Sequence, residues 1–152
     1  MLKFREIGTY KNAVNVGYCT ADVELHNGNV VTFDRATKKA AVPTNGKETG
    51  LAIVMNTIDK PETLSPNDYV IEVGENPRLF VLTSLKGRII DMDMDQVDGT
   101  YADIADFLVA DASGKLKAVK KATGVADYKE YFVVSEKTSF NGEGLAVEVV
   151  IA

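Results

Sequence analysis

The chain has one cysteine, one histidine and no tryptophan. With Cys19 alone no intrachain disulfide can form, and no second Cys stands near Gly17-Tyr18-Cys19-Thr20 at metal-ligand spacing. Cys19 therefore reads as a small buried apolar side chain. A single histidine, His26, excludes zinc sites built from several His residues. A Ser-His-Asp triad would have to use it, yet no Gly-x-Ser-x-Gly elbow occurs. His26 stands just before Asn27-Gly28, a turn signal where an exposed polar side chain is expected. Both Gly-x-Gly-x-x-Gly and the P-loop pattern are missing. No apolar run approaches the ~20 residues of a membrane span. Met1-Leu2-Lys3-Phe4-Arg5-Glu6 places charges where a signal peptide needs an apolar core. These signals predict a protein made in the cytoplasm and not exported.

A basic excess is lacking too: 17 Lys and Arg are scattered among 22 acids, for a net charge of −5. Nucleic-acid binders present a basic face to phosphates. Here Lys38-Lys39 and the set Lys115, Lys117, Lys120, Lys121 read as solvated strand and turn faces, so no DNA or RNA partner is expected. The acidic run Asp91-Met92-Asp93-Met94-Asp95 begins like a calcium loop. That loop needs Gly at its sixth position and Glu at its twelfth, where this chain has Gln96 and Ala102. The run reads as a strand end with its Asp residues toward solvent and Ile90, Met92 and Met94 toward the core. Weak cation binding at Asp91, Asp93 and Asp95 stays open. No catalytic residue, metal or cofactor is expected, although carboxylate pairs for glycoside cleavage form in space and escape a linear reading.

What the sequence does have is short β-type runs between turn residues. A chain of 152 residues is the size of one domain and buries about two-thirds of its unfolded surface, so it needs no covalent staple. Val14, Val16 and Tyr18 alternate with polar or small residues, as in a half-buried strand. Val30-Val31-Thr32-Phe33 and Lys39-Ala40-Ala41-Val42 flank Asp34 to Lys38 and predict a hairpin. Asn45-Gly46 marks a turn before Leu51 to Met55, and Asp59 to Asn67, with Pro61 and Pro66, reads as a loop. Further strands are predicted at 69–73, 78–83 and 88–92, with Lys86-Gly87 turning between the last two. One short helix is placed at Tyr101 to Leu108, where Ile104, Phe107 and Leu108 fall at i, i+3 and i+4; the same residues also suit a strand end.

An internal repeat organises these runs. Ala21-Asp22-Val23 is echoed by Ala102-Asp103-Ile104, and Val30 to Asp34 by Phe107 to Asp111. Lys38, Ala41 and Val42 match Lys115, Ala118 and Val119. Leu51 to Val54 parallels Tyr131 to Val134, and Val70 to Val73 parallels Ala146 to Val149. The expected fold is mostly β: short antiparallel strands in a barrel or sandwich, in two similar halves, with at most one or two short helices. The expected divisions are an N-terminal arm at 1–12 and halves at 13–95 and 96–152, as separate units or one domain. Asp34 and Asp111 should each start a turn by accepting backbone NH groups two residues on.

Gly28-Asn29-Val30-Val31-Thr32-Phe33-Asp34, Lys38-Lys39-Ala40-Ala41-Val42 and Gly50-Leu51-Ala52-Ile53-Val54 together resemble the capsid decoration, or cement, proteins of tailed bacteriophages. The likeness covers about residues 28–55, with a fainter second instance at 107–134; the shortest members of that family have one such unit. The resemblance implies a non-enzymatic virion protein that binds the outside of an assembled capsid and stiffens it. Its partner would be the major capsid protein or another virion protein, with neither nucleic acid nor membrane involved and self-association open. Leu2, Phe4 and Ile7, ahead of the first alternating strand, are the candidate partner contacts. The rival readings are a tail or head-connection subunit that forms rings, and a bacterial β-barrel ligand-binding module.

Overall fold

The computed structural model describes residues 2–6, 8–62, 65–99, 102–120, 124–139 and 142–152. Their strands are β1 (Leu2–Phe4), β2 (Asn15–Val16), β3 (Thr20–Ala21), β4 (Val30–Asp34), β5 (Lys39–Ala41), β6 (Ala52–Val54), β7 (Leu79–Val81), β8 (Ile89–Asp93), β9 (Val97–Asp98), β10 (Phe107–Ala110), β11 (Leu116–Val119), β12 (Glu130–Thr138) and β13 (Gly144–Ile151). One helical turn, α1 (Thr9–Asn12), and 3-10 turns at Pro66–Asp68 and Leu82–Leu85 complete the regular structure. One sheet runs β2-β7-β6-β4-β5-β3 and the other β1-β8-β13-β12-β10-β11-β9. The fold is a β-sandwich of two mixed sheets; neither closes into a barrel.

Apart from β1, the two sheets have the same plan in the same chain order: β2 to β7 correspond to β8 to β13. Both contain the same parallel pair, β3 with β5 and β9 with β11, in otherwise antiparallel surroundings. The hydrogen bonds repeat as well. Gly28 N donates to Val54 O and Val54 N to Asn29 O; in the second half Ala105 N donates to Val134 O and Val134 N to Asp106 O. His26 N donates to Asn29 Oδ1 at 2.7 Å, and Asp103 N to Asp106 Oδ2 at 2.9 Å. The expected Asp turns are present: Asp34 Oδ1 accepts from Ala36 N and Asp111 Oδ1 from Ser113 N.

The alignment of the halves differs from the sequence reading at three places. The β10–β11 loop has one residue fewer than the β4–β5 loop, since Asp34 pairs with Lys39 but Asp111 N bonds Lys115 O. Ala40 is therefore the counterpart of Leu116, one position from the match suggested by Ala41 and Ala118. In a strand, such a one-residue shift exchanges the faces. The counterpart of β13 is β7, not residues 70–73, of which Ile71 makes only an isolated bridge to Leu25. The counterpart of Ala21-Asp22 is Val97-Asp98, set by the register against β11.

Other expectations are corrected by local geometry. No helix forms among the described residues of 101–108: Ala105 turns the chain at φ 71° and Phe107 enters β10. Lys86-Gly87 does not close a hairpin, because β7 and β8 lie in different sheets. The division between halves falls there, not near residue 95, so β8 belongs to the second half. Residues 2–4 are an edge strand on β8 and not a free arm. Of the alternating set, Val16 is buried, whereas Val14 and Tyr18 are exposed.

Packing explains why the halves have diverged. Val16, Ala21, Val31, Ala40, Ala52, Val54 and Leu79 form the inner face of the first sheet, closed by Leu25, Tyr69 and Ile71. Their counterparts Ile90, Val97, Leu108, Leu116, Phe132, Val134 and Val147 form the inner face of the second. That face is closed by the outer face of the first sheet, through Val30, Ile53, Met55 and Phe80. The halves thus stack head to tail. The outer face of the second sheet covers no further sheet, and there Ser135 stands for Met55 and an exposed Glu148 for Phe80.

Positive φ also recurs at equivalent turn positions: Gly28 and Ala105, Lys38 and Gly114. Only Gly adopts it without a Cβ penalty. Ala105→Gly and Lys38→Gly should each stabilise the protein by about 0.5–1 kcal/mol. Gly114→Ala should destabilise it by more, since its Cβ would lie 3.1 Å from Val42 Cγ1 and 3.3 Å from Val30 O. Urea melts of the three variants check this; destabilisation by both Gly substitutions would contradict it.

Candidate functional site

Among the described residues, two regions bring polar side chains together between the halves. The first is a buried seam. Asn29 Nδ2 donates to Gln96 Oε1 at 2.6 Å, and Val30 N donates to Gly114 O at 2.8 Å. A Cβ at Gly46 would collide with the Ala110 carbonyl oxygen, so only glycine allows this approach. Glu130, buried at the start of β12, accepts Leu51 N at 2.7 Å and Gly50 N at 3.2 Å. These contacts satisfy backbone groups that the stacked halves would otherwise leave without partners.

The second region is a cavity of about 240 Å³ lined by Leu2, His26, Asn27, Asn56, Ile58, Pro66, Tyr69, Asp93 and Asp95. The turn before β4 supplies His26 and Asn27, the loop after β6 supplies Asn56, Ile58, Pro66 and Tyr69, and the end of β8 supplies the two Asp residues. Asn27 and Asn56 fix one another: Asn27 Nδ2 donates to Asn56 O, and Asn56 N donates to Asn27 Oδ1. Asn56 Nδ2 donates to the Tyr69 hydroxyl, which lies 3.5 Å from Asp59 Oδ1. His26 Nδ1 is buried without a hydrogen-bond partner, while Glu24 Oε1 lies 3.7 Å from Nε2.

The residues singled out in the sequence are dispersed. Leu2 is half-buried at the cavity. Phe4 is 4% exposed and stacks edge-on with Phe80 at 5.0 Å, so its ring is core rather than contact surface. Ile7 lies outside the described residues, as do Tyr101 and Lys121. Asp91 does not face solvent: it is buried and held by Arg5, with Nη2 to Oδ1 at 2.7 Å. Only Asp93 and Asp95 of the acidic run share the cavity, and among the described residues no three His, Cys, Asp or Glu side chains are grouped to hold a metal ion. Cys19 is fully buried, and burial pushes its thiol pKa up. Lys137, with Lys120, holds the Asp103 carboxyl below its usual range, and Lys120 does the same for Asp106.

Sequence reasoning missed Glu130 and Asn56, whose partners Leu51 and Asn27 are 79 and 29 residues away. The Asn56 contacts leave no local pattern. Glu130 leaves only a faint one, a carboxylate opening an otherwise alternating strand. No protein-family model matches the chain, and no curated protein matches it.

Glu130 makes the seam sensitive to pH. Burial pushes its carboxyl pKa up, against the opposing pull of the Leu51 and Gly50 NH groups. The folded protein therefore keeps this proton to higher pH than the unfolded chain does. The Glu130 contribution is fully present below the unfolded pKa and is lost as pH rises through the folded one. Glu130→Gln cannot ionise. Its stability relative to wild type should improve in urea melts between about pH 4 and about pH 7; a constant difference would contradict this.

Proposed function

We propose that this protein is a non-enzymatic virion component that binds and stabilises the outside of a tailed-bacteriophage capsid. The observation that carries the binding role is a run of exposed apolar side chains beside an unpaired sheet edge. Tyr10, Val14 and Tyr18 are 44%, 49% and 41% exposed, and they flank β2, the edge strand of the first sheet. Apolar side chains in contact with water at a free edge suit strand-edge pairing and burial by a partner. The resemblance over residues 28–55 supplies the kind of partner. Those residues form the β4–β5–β6 unit, and the fainter instance forms β10–β11–β12.

This reading moves the contact surface from Leu2 and Phe4 to residues 10–18. Tyr10 also packs on Phe4 and Phe80, with ring centroids at 4.6 and 6.2 Å, and so carries part of the fold. Val14 and Tyr18 offer the cleaner test. Shells assembled from a candidate tailed-bacteriophage capsid protein should bind it saturably and disrupt at higher temperature in its presence. Val14→Ser with Tyr18→Ser should weaken binding by about 2 kcal/mol or more, while the free protein's melting changes by less than about 1 kcal/mol. Shells that melt identically with and without the protein would overturn the proposal. So would rings formed by the protein alone, which light scattering would reveal.

A further inference from the structure

We propose that Asn45-Gly46 is a self-modification site, at which the chain converts Asn45 to an isoaspartyl linkage and loosens the seam between the halves. The proposal does not rest on the shell-binding role. A glycine after asparagine has no Cβ to shield its backbone nitrogen, so that nitrogen can attack the asparagine side-chain carbonyl. The bond from Gly46 N to Asn45 Cγ forms and the Cγ–Nδ2 bond breaks. The Gly46 amide proton goes to the departing nitrogen, which leaves as ammonia. Water then opens the succinimide ring. Attack at Cγ restores the ordinary main chain with an aspartyl side chain, and attack at the main-chain carbonyl leaves the chain running through Cγ. Either opening returns a proton to Gly46 N.

Asn-Gly occurs at 27–28, 45–46 and 141–142, and Asn141 lies outside the described residues. The other two pairs differ at the atoms the reaction uses. At Asn27-Gly28 the nucleophile is engaged, because Gly28 N donates to Val54 O at 2.9 Å. The leaving nitrogen is engaged too, with Asn27 Nδ2 donating to Asn56 O at 3.0 Å. Asn56 N closes the clamp by donating to Asn27 Oδ1 at 2.7 Å. At Asn45-Gly46, among the described residues, neither Gly46 N nor Asn45 Nδ2 makes a hydrogen bond. Lys47 N donates to Asn45 Oδ1 at 2.9 Å. That donor steadies the negative charge the oxygen gains as Gly46 N attacks. Glu48 holds the turn by accepting Thr44 N and Asn45 N, and the exposed Asn45 side chain is open to water. The product matters here because an isoaspartyl linkage adds one main-chain atom between residues 45 and 46. Gly46 lies so close to the Ala110 carbonyl oxygen that no Cβ fits, and the lengthened chain displaces it from that contact.

The test ages the full-length protein in warm, mildly alkaline buffer, folded in one sample and unfolded by urea in another. Proteolysis at acidic pH with mass spectrometry follows the gain of one mass unit at each asparagine. Electron-transfer fragmentation separates isoaspartyl from aspartyl products. Folded protein should convert Asn45 at least about tenfold faster than Asn27, whose hydrogen bonds must break first. Unfolded chains should convert the two at similar rates. Aged wild type, rich in isoaspartyl product at position 45, should unfold at a lower urea concentration than fresh protein. Asn45→Ser keeps an acceptor for Lys47 N but cannot form the ring, and aged alongside it should hold its midpoint. Because Asn45→Ser retains Asn141, it also reports any damage there. Four results would each overturn the proposal: equal conversion of Asn27 and Asn45 in folded protein, an Asn45 that survives folded ageing while unfolded chains react, an unchanged midpoint after conversion, or an equal loss of stability in Asn45→Ser.

Discussion

Burial of the outer face of the first sheet against the inner face of the second is the constraint on which the rest of this structure depends. Val30, Ile53 and Phe80 are buried in one cluster with Leu108, Phe132 and Val147. Each such side chain contributes on the order of 1.5–3 kcal/mol when removed from water, so three of them rival a typical domain's net stability of about 5–15 kcal/mol. The polar seam follows from that stacking. Once the halves touch, Asn29, Gln96, Gly46 and Glu130 must fit or satisfy backbone that water no longer reaches.

The same stacking accounts for the chemical asymmetry of two similar halves. A face that meets another sheet keeps Met55 and Phe80, whereas its counterpart has Ser135 and Glu148. The second half's inner face carries Leu116 and Phe132 where the first has Ala40 and Ala52. Larger side chains stand where the second half meets its neighbour, and smaller ones where the first is closed by its own loop through Tyr69 and Ile71. Head-to-tail stacking also brings the end of β8 beside the turn before β4. Neither half alone contains the cavity that lies between those segments.

Much of this architecture was legible in the sequence because the repeat preserves strand order and turn chemistry. Asp34 and Asp111 were visible as turn formers, and the offset linking Leu51 to Val54 with Tyr131 to Val134 agrees with the ladder registers. The register of the return strand was not legible, since a loop shortened by one residue leaves Ala41 and Ala118 aligned while shifting the pairing. β3 and β9 have two residues each, too few to show alternation. The helical spacing of Ile104, Phe107 and Leu108 failed because Asp106 bonds back to Asp103 N and Ala105 takes positive φ, which breaks the helix path. The cavity was the least legible feature. His26 and Asp93 each read as polar side chains facing solvent, and only the meeting of the two sheets places them together.

The central claim is that the two halves share one core and fold as one unit. Differential scanning calorimetry of the intact chain tests it most directly. A shared core predicts a single transition whose calorimetric and van't Hoff enthalpies agree. Two resolved transitions, or a calorimetric enthalpy about twice the van't Hoff value, would show two independently stable halves and contradict the account.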